Sequence, residues 1–275
     1  MLEFLKVLFE AQPRFYGRSG VRPGNPRILF LSLLGLSLLL ACSSSSVSPG
    51  PPASSAPAFV VEAHSATDGS GAAFNQSTLS LNVSGPNTLL IVAWHSEFDG
   101  GMPDSWSVTC NGAAGTEIVD TNGYTGGDGN RRFRIYYWRS PAPGTNTIVV
   151  SNPSAGANEL AVSAVLFSNV SQISPMGTPV LDVSTTARTG ESEAVGTSAT
   201  DLVVHVIADA LFTRGALGSG ETSRSVANDG GHQADGDASL WISTKPGGAS
   251  TTTVSSSGWA SRVINGVGIA VHGAN

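Results

Sequence analysis

The chain has 275 residues, of which only 12% are charged, and a formal net charge of -6. So few Lys, Glu and Arg residues, beside 33 glycines and abundant Ser, Thr and Val, argue against a mainly helical protein. Much of the basic charge sits at Lys6, Arg14, Arg18, Arg22 and Arg27, so the remainder is more acidic still and offers no basic face to nucleic acid.

Residues 28–41, ILFLSLLGLSLLLA, form an uncharged run shorter than the roughly 20 residues that span a bilayer as a helix. Arg22 and Arg27 precede it and small residues close it, the layout of an export signal. The part before it is long for such a signal, and initiation at Val21 would leave VRPGNPR as an ordinary basic leader. The run ends in Leu39-Leu40-Ala41-Cys42, which resembles the lipobox of bacterial lipoproteins. That resemblance implies lipid on the Cys42 sulfur, cleavage before it, and a chain held on the cell envelope, with Ser43 in keeping with the outer membrane. Residues 42–58, rich in Ser and Pro, cannot bury a core and read as a tether. Cys110 is then alone in an exported protein and reads as a small buried apolar residue at a strand end.

From residue 59 onward short β-like runs alternate with turn clusters: NTLLIVAWHS, SWSVTC, FRIYYWRS, NTIVVS and LAVSAVLFS, then DLVVHVIAD, SLWIST, TTTVSSS and INGVGIAVHG. No stretch carries a 3.6-residue period, and the spacing predicts an all-β antiparallel sandwich or jelly roll. The order of runs recurs. Residues 84–101 align with 197–215, 127–151 with 235–257, and 159–170 with 261–273, so the offset falls from 113 (84 to 197) to 102 (159 to 261). This is the mark of a diverged duplication with halves at about 74–170 and 180–273. The join SQISPMGTPV is short and partly apolar, which favours one sandwich domain over 59–275 made of both halves.

Asp201-Leu202-Val203-Val204, IYYW with PAPGTNTIVVS, LFSNVSQISPMGTPV, and STKPGGASTTTVSSSGWA followed by GVGIAV resemble a β-sandwich module of many secreted and surface-attached bacterial proteins. The resemblance spans nearly all of 59–273 and implies the fold; these motifs are structural and bring no catalytic residue set.

Three groups are candidates for chemistry. His95 with Glu97, Asp99 and Asp104, in HSEFDGGMPD at a strand end, reads as an acid/base or metal group, or as a solvated loop of Asp-Gly turns. Asp120, Asn122, Asp128 and Asn130 in one half, and Asp235 and Asp237 in the other, offer closely spaced oxygens for calcium, with His232 beside the second set; plain Asp-Gly hairpin turns explain the same spacing. In RRFRIYYWRS alternation places Phe133, Ile135 and Tyr137 toward a core, and Arg134, Tyr136 and Trp138 on the other face. That face is either a glycan-stacking platform or a cover for a second sheet, and Trp241 aligns with Tyr136 in the repeat. Trp94, Trp106 and Trp259 read as core, and His205, aligned with Val92, as a satisfied strand histidine. No Gly-x-Ser-x-Gly elbow is present. The expectation is a lipid-anchored, non-catalytic module for adhesion, envelope assembly or glycan binding; the alternative is a secreted hydrolase of polysaccharide or polyester using the loop acids and His95.

Overall fold

The computed structural model describes residues 55–68, 75–98, 105–121, 124–126, 129–152, 159–209, 215–228 and 238–274. The leader, Cys42 and most of the tether lie outside the described residues, as do Asp99, Asp104, Asn122, Asp128, His232, Asp235 and Asp237.

The first half contains β1 (Ala58–Asp68), β2 (Gln76–Val83), β3 (Leu89–Phe98), β4 (Ser107–Cys110), β5 (Ala113–Ala114), β6 (Thr116–Asp120), β7 (Tyr124–Gly126), β8 (Gly129–Arg139), β9 (Gly144–Ser151) and β10 (Glu159–Ser168). The second contains β11 (Val180–Asp182), β12 (Arg188–Gly196), β13 (Leu202–Asp209), β14 (Ala216–Leu217), β15 (Thr222–Asn228), β16 (Ser239–Pro246), β17 (Thr251–Arg262) and β18 (Ile264–Val271).

Each half folds into a large and a small antiparallel sheet. The large sheets run β1-β10-β3-β8-β6, with β7 also paired to β8, and β11-β18-β13-β16-β15; the small sheets run β2-β9-β4-β5 and β12-β17-β14. The five-strand orders of the large sheets match strand for strand, and so does a local irregularity. The pairing slips between Glu117 and Val119 on β6 and between Ser223 and Ser225 on β15, a bulge at the same place in both edge strands. The structure thus carries the duplication in topology as well as in sequence.

Burial follows the residue pattern. The small-sheet strands alternate, as in β2 with every second residue buried, because one face meets a core and the other meets solvent. The large-sheet strands do not alternate: β18 is buried throughout, and β10 in all but its last residue. A strand that is apolar on both faces needs cover on both sides, and hydrophobic cores on either side supply it. Leu79, Leu81, Val108 and Ile148 pack on Leu90, Val92, Trp94 and Leu166 inside the first sandwich. Val195 and Val254 meet Val203 and Ala270 inside the second. Leu89, Ile91, Phe133, Ile135 and Phe167 meet Val204, Val206, Leu240, Ile242 and Ile269 where the two large sheets face each other. Where the sequence favoured one sandwich built from both halves, each half builds its own, and the large sheets join them back to back. Gly50–Asn275 forms one compact unit.

The join is part of this packing. Ser171 N–H donates to His272 O at 2.9 Å, Gly177 N–H to Ala270 O at 2.9 Å and Ala274 N–H to Asn169 O at 2.8 Å. Across the central core Ser225 Oγ donates to Glu62 Oε2 at 2.9 Å, and the Arg224 guanidinium lies 4.8 Å from the centre of the Phe59 ring.

Inside the second sandwich β18 passes so close to β12 that two of its inward positions are glycine. A Cβ on Gly268 would run into the Val195 side chain, and one on Gly266 into the carboxylates of Glu193 and Glu191. Gly196 has open space around it. Gly268→Ala is therefore expected to cost about 1–3 kcal/mol by overpacking, and Gly196→Ala no more than about 0.5 kcal/mol, as read from urea unfolding of both variants.

Candidate functional site

Matching the strand registers sets each residue of one half against its counterpart. Ser140 N–H donates to Thr88 O, and Gly247 N–H to Asp201 O, which fixes the starts of β3 and β13 on the same frame. Val92 then pairs with Tyr136 and Ala164, while His205 pairs with Ser243 and Gly268. Asn146 and Thr252 both tie back to the turn four residues before them, at Ala142 and Gly248, so Leu79 opposite Ile148 corresponds to Glu193 opposite Val254. The register pairs Trp241 with Ile207 and Arg134 with Trp94, so the counterpart of Trp241 is Arg134 and not Tyr136, as the sequence alignment had it.

The interior of the second sandwich is where the halves differ most. The first half fills the space with Leu79, Val92, Val162 and Ala164; the second places Glu193, His205, Gly266 and Gly268 there, with Glu191 one inward step along β12. His205, Glu191, Glu193 and Glu221 all have 0% side-chain exposure. His205 Nδ1 is 2.8 Å from Glu221 Oε2, and its Nε2 is 3.2 Å from Glu191 Oε2 and 3.3 Å from Glu193 Oε2. Glu221 is itself held, by Ser243 Oγ–H at 2.6 Å and by the Ser255 N–H at 2.8 Å. Glu191, Glu193 and His205 can each offer one ligand atom, all within 4.8 Å of one another, and are the residues able to hold a metal ion among those described.

The electrostatics follow from burying three carboxylates around one imidazole. For His205, burial disfavours the charged form, but contacts with Glu191, Glu193 and Glu221 outweigh it and raise its pKa well above the ordinary value. Burial also works against ionised Glu191 and Glu221, yet the imidazolium keeps both below the usual carboxylate range. Glu193 is the odd one: burial, with Glu191 adding to it and His205 opposing, pushes it up to about 8. The directions agree: His205 is held toward its charged form, Glu191 and Glu221 toward theirs, and Glu193 toward its protonated form.

Beside this cluster lies a cavity of about 220 Å³ lined by Ile207, Ser223, Val226, Ser239, Leu240, Trp241 and Trp259. Trp241 and Trp259 meet edge to face at 6.1 Å and 72°. Their ring N–H groups are used internally, Trp241 Nε1 donating to Ser223 Oγ at 2.7 Å and Trp259 Nε1 to Ser256 Oγ at 2.6 Å, so both rings are fixed. Two glycines set Trp259. Gly258, at φ 76°, sits where β17 slips in its pairing with β12, and Gly215 leaves room for the indole, which a Cβ there would strike. The first-half counterpart of Ile207 is Trp94, which stacks on Trp106 at 4.9 Å with its ring in the core.

Comparison with protein-family models found no match, and comparison with curated proteins and with solved structures found none either.

The sequence candidates are placed as follows. His95 is wholly buried between the large sheets; burial, reinforced by Arg131 and partly offset by a backbone contact with Ser239, lowers its pKa to about 3. It stands neutral in a core, and no described residue of its loop joins it; the Glu97 side chain and Asp99 lie outside the described residues. Asp120 is engaged by two guanidiniums, with Arg132 Nε at 3.0 Å from one oxygen, and Arg132 Nη2 at 2.6 Å and Arg134 Nη2 at 2.8 Å from the other. Those cations occupy the oxygens that calcium would need; the Asn130 side chain and the other oxygen donors of both turns lie outside the described residues. Arg134 and Tyr136 are not an exposed platform. They are 8% and 6% exposed, and Tyr136 O–H donates to Glu117 at 2.7 Å, a contact that together with burial pushes the phenol up to about 12. Trp138 is half-buried against Gly115, its Nε1 donating to Ala113 O at 3.2 Å, so this face covers the second sheet. Cys110 is buried beside Asn146, and burial raises its thiol pKa.

The cluster was missed because its members are spread over residues 191, 193, 205 and 221, and because ESEAV reads as a solvated strand. The available signal was parity: Val195 faces inward, so Glu193 and Glu191 must as well.

Since Glu193 and His205 hold protons in the folded protein that the unfolded chain has released, stability falls as the pH rises from 6.5 through 8. Putting Val at His205 and Leu at Glu193, the residues of the first half, is expected to flatten that fall. Urea unfolding in chelator at several pH values checks it; an unchanged slope would refute the assignment.

Proposed function

We propose that the chain is a non-catalytic binding module of the bacterial cell envelope, held by lipid on Cys42, that seats one ring of a glycan in the cavity lined by Trp241 and Trp259. The observation that carries this reading is the cavity whose wall those two touching rings form. Fixed indoles at 72° to each other offer an apolar floor and wall, the arrangement on which the C–H face of a sugar ring packs. At about 220 Å³ the space is below the roughly 300 Å³ at the low end for drug-sized ligands, so it suits a single ring with the rest of the chain outside.

Seating is favoured over hydrolysis by where the titratable groups lie. His95, the base of the hydrolase reading, is enclosed between the large sheets, and the side chains of the His205 cluster have no exposed surface. The lipobox resemblance and the Ser/Pro tether support an anchored module reaching away from the membrane. The resemblance to the module of surface-attached proteins, carried by Asp201–Val204, PAPGTNTIVVS and STKPGGASTTTVSSSGWA, supports the same placement.

The test is a panel of soluble oligosaccharides titrated into the purified full chain, read by tryptophan fluorescence and calorimetry. A ligand that changes the emission, and whose affinity falls at least about tenfold in Trp241→Ala while the fold is kept, is the expected result. Binding that ignores Trp241→Ala, or no binding across the panel, would overturn the reading.

A further inference from the structure

We propose that His205, Glu191 and Glu193 form a closed binding site for one divalent transition-metal ion, of the Zn²⁺ type, with Glu221 as the positioning residue behind the histidine. The geometry points there first. An ion with bonds of about 2.0–2.2 Å in a tetrahedral shell sets its ligand atoms about 3.3–3.6 Å apart. His205 Nε2 stands 3.2 Å from the Glu191 oxygen and 3.3 Å from the Glu193 oxygen. The far side of the ring is finished as metal-bound histidines are: Nδ1–H donates to a carboxylate, Glu221, at 2.8 Å, which fixes the tautomer and aims Nε2 at the site. Glu221 is in turn clamped by Ser243 and the Ser255 N–H, so the ring is held from its own backbone outward.

A second, independent observation is what the site leaves undone. Glu193 is 1% exposed, and apart from the His205 Nε2 contact at 3.3 Å neither of its oxygens is hydrogen-bonded; Glu191 Oε1 has no hydrogen bond either. Buried carboxyl oxygens short of hydrogen bonds are costly, and a cation between the two side chains would satisfy them. Gly266 and Gly268 keep open the space these carboxylates occupy, since a Cβ on Gly266 would collide with both. The duplication supplies an internal control: the first half closes the same interior with Leu79, Val92, Val162 and Ala164, so the fold itself does not require the polar set. Imidazole with two carboxylates suits zinc, manganese or iron better than calcium, which wants six to eight oxygens.

The groups facing His205 are Glu191 and Glu193 from β12 and Glu221 ahead of β15, so a cation enters a site already lined by carboxyl groups. β16 and β17 bring the hydroxyls of Ser243 and Ser256, and β18 the two glycines.

The experiment uses the full chain, stripped with chelator and titrated with Zn²⁺ and Co²⁺. The expected result is one ion per chain, a visible Co²⁺ absorption of low-coordinate type, and a higher unfolding midpoint. Glu193→Gln and His205→Asn should lose the ion, Glu221→Gln should bind about 10–100-fold more weakly, and His232→Asn should bind as the natural chain does. No ion bound by the folded chain, or binding that survives in both Glu193→Gln and His205→Asn, would overturn the proposal.

Discussion

The large sheet in each half is apolar on both faces, and a sheet of that kind cannot end in water on either side. Leu89 to Trp94 are all wholly buried, and Ile264 to Val271 nearly so. At about 25 cal/mol per Å² of apolar surface, leaving one such face uncovered would forfeit more than a domain's net stability. A small sheet covers one face, and the other half's large sheet covers the second. The four layers, the tight join at residues 169–177, and the contact of β1 with β15 all follow from that requirement.

The same requirement explains why the halves have diverged where they have. The central core must fit two surfaces to each other and stays aliphatic, with Val204, Val206 and Ile269 facing Ile91, Ile135 and Phe167. Each sandwich interior answers only to its own small sheet, so it is free to change. The first half fills its interior with Trp94 and Trp106. The second gives the space to Ile207, the two glycines of β18 and the His205 cluster, and in doing so opens the cavity beside Trp241 and Trp259. The proposed ligand seat and the proposed metal site both fall in a sandwich interior, which the stacking of the large sheets does not constrain.

How much of this the sequence disclosed depends on the kind of signal. Strand positions, the all-β class and the duplication were legible, because period-two alternation and recurring turn chemistry are local. The second sandwich was not inferred, although LAVSAVLFS and LLIVAW lack alternation, the mark of strands buried on both faces. Trp241 was set against the wrong partner because loop-length changes shift the alignment by two residues, which keeps side-chain parity and so leaves the hydrophobic pattern undisturbed. His95 resembled a loop base because it precedes acidic residues in sequence; the strand runs on past it and carries it into the central core. His205 and its glutamates come together only through pairings between strands far apart in the chain, and no single window contains them.

The central claim is that the second sandwich is built around a charged histidine where the first has valine. Nitrogen NMR of the chelator-treated protein near pH 7, with the His205 ring assigned through His205→Asn, measures that charge directly. The account predicts that both ring nitrogens carry protons, Nδ1 toward Glu221 and Nε2 toward Glu191 and Glu193. A ring with a single protonated nitrogen at that pH would contradict it.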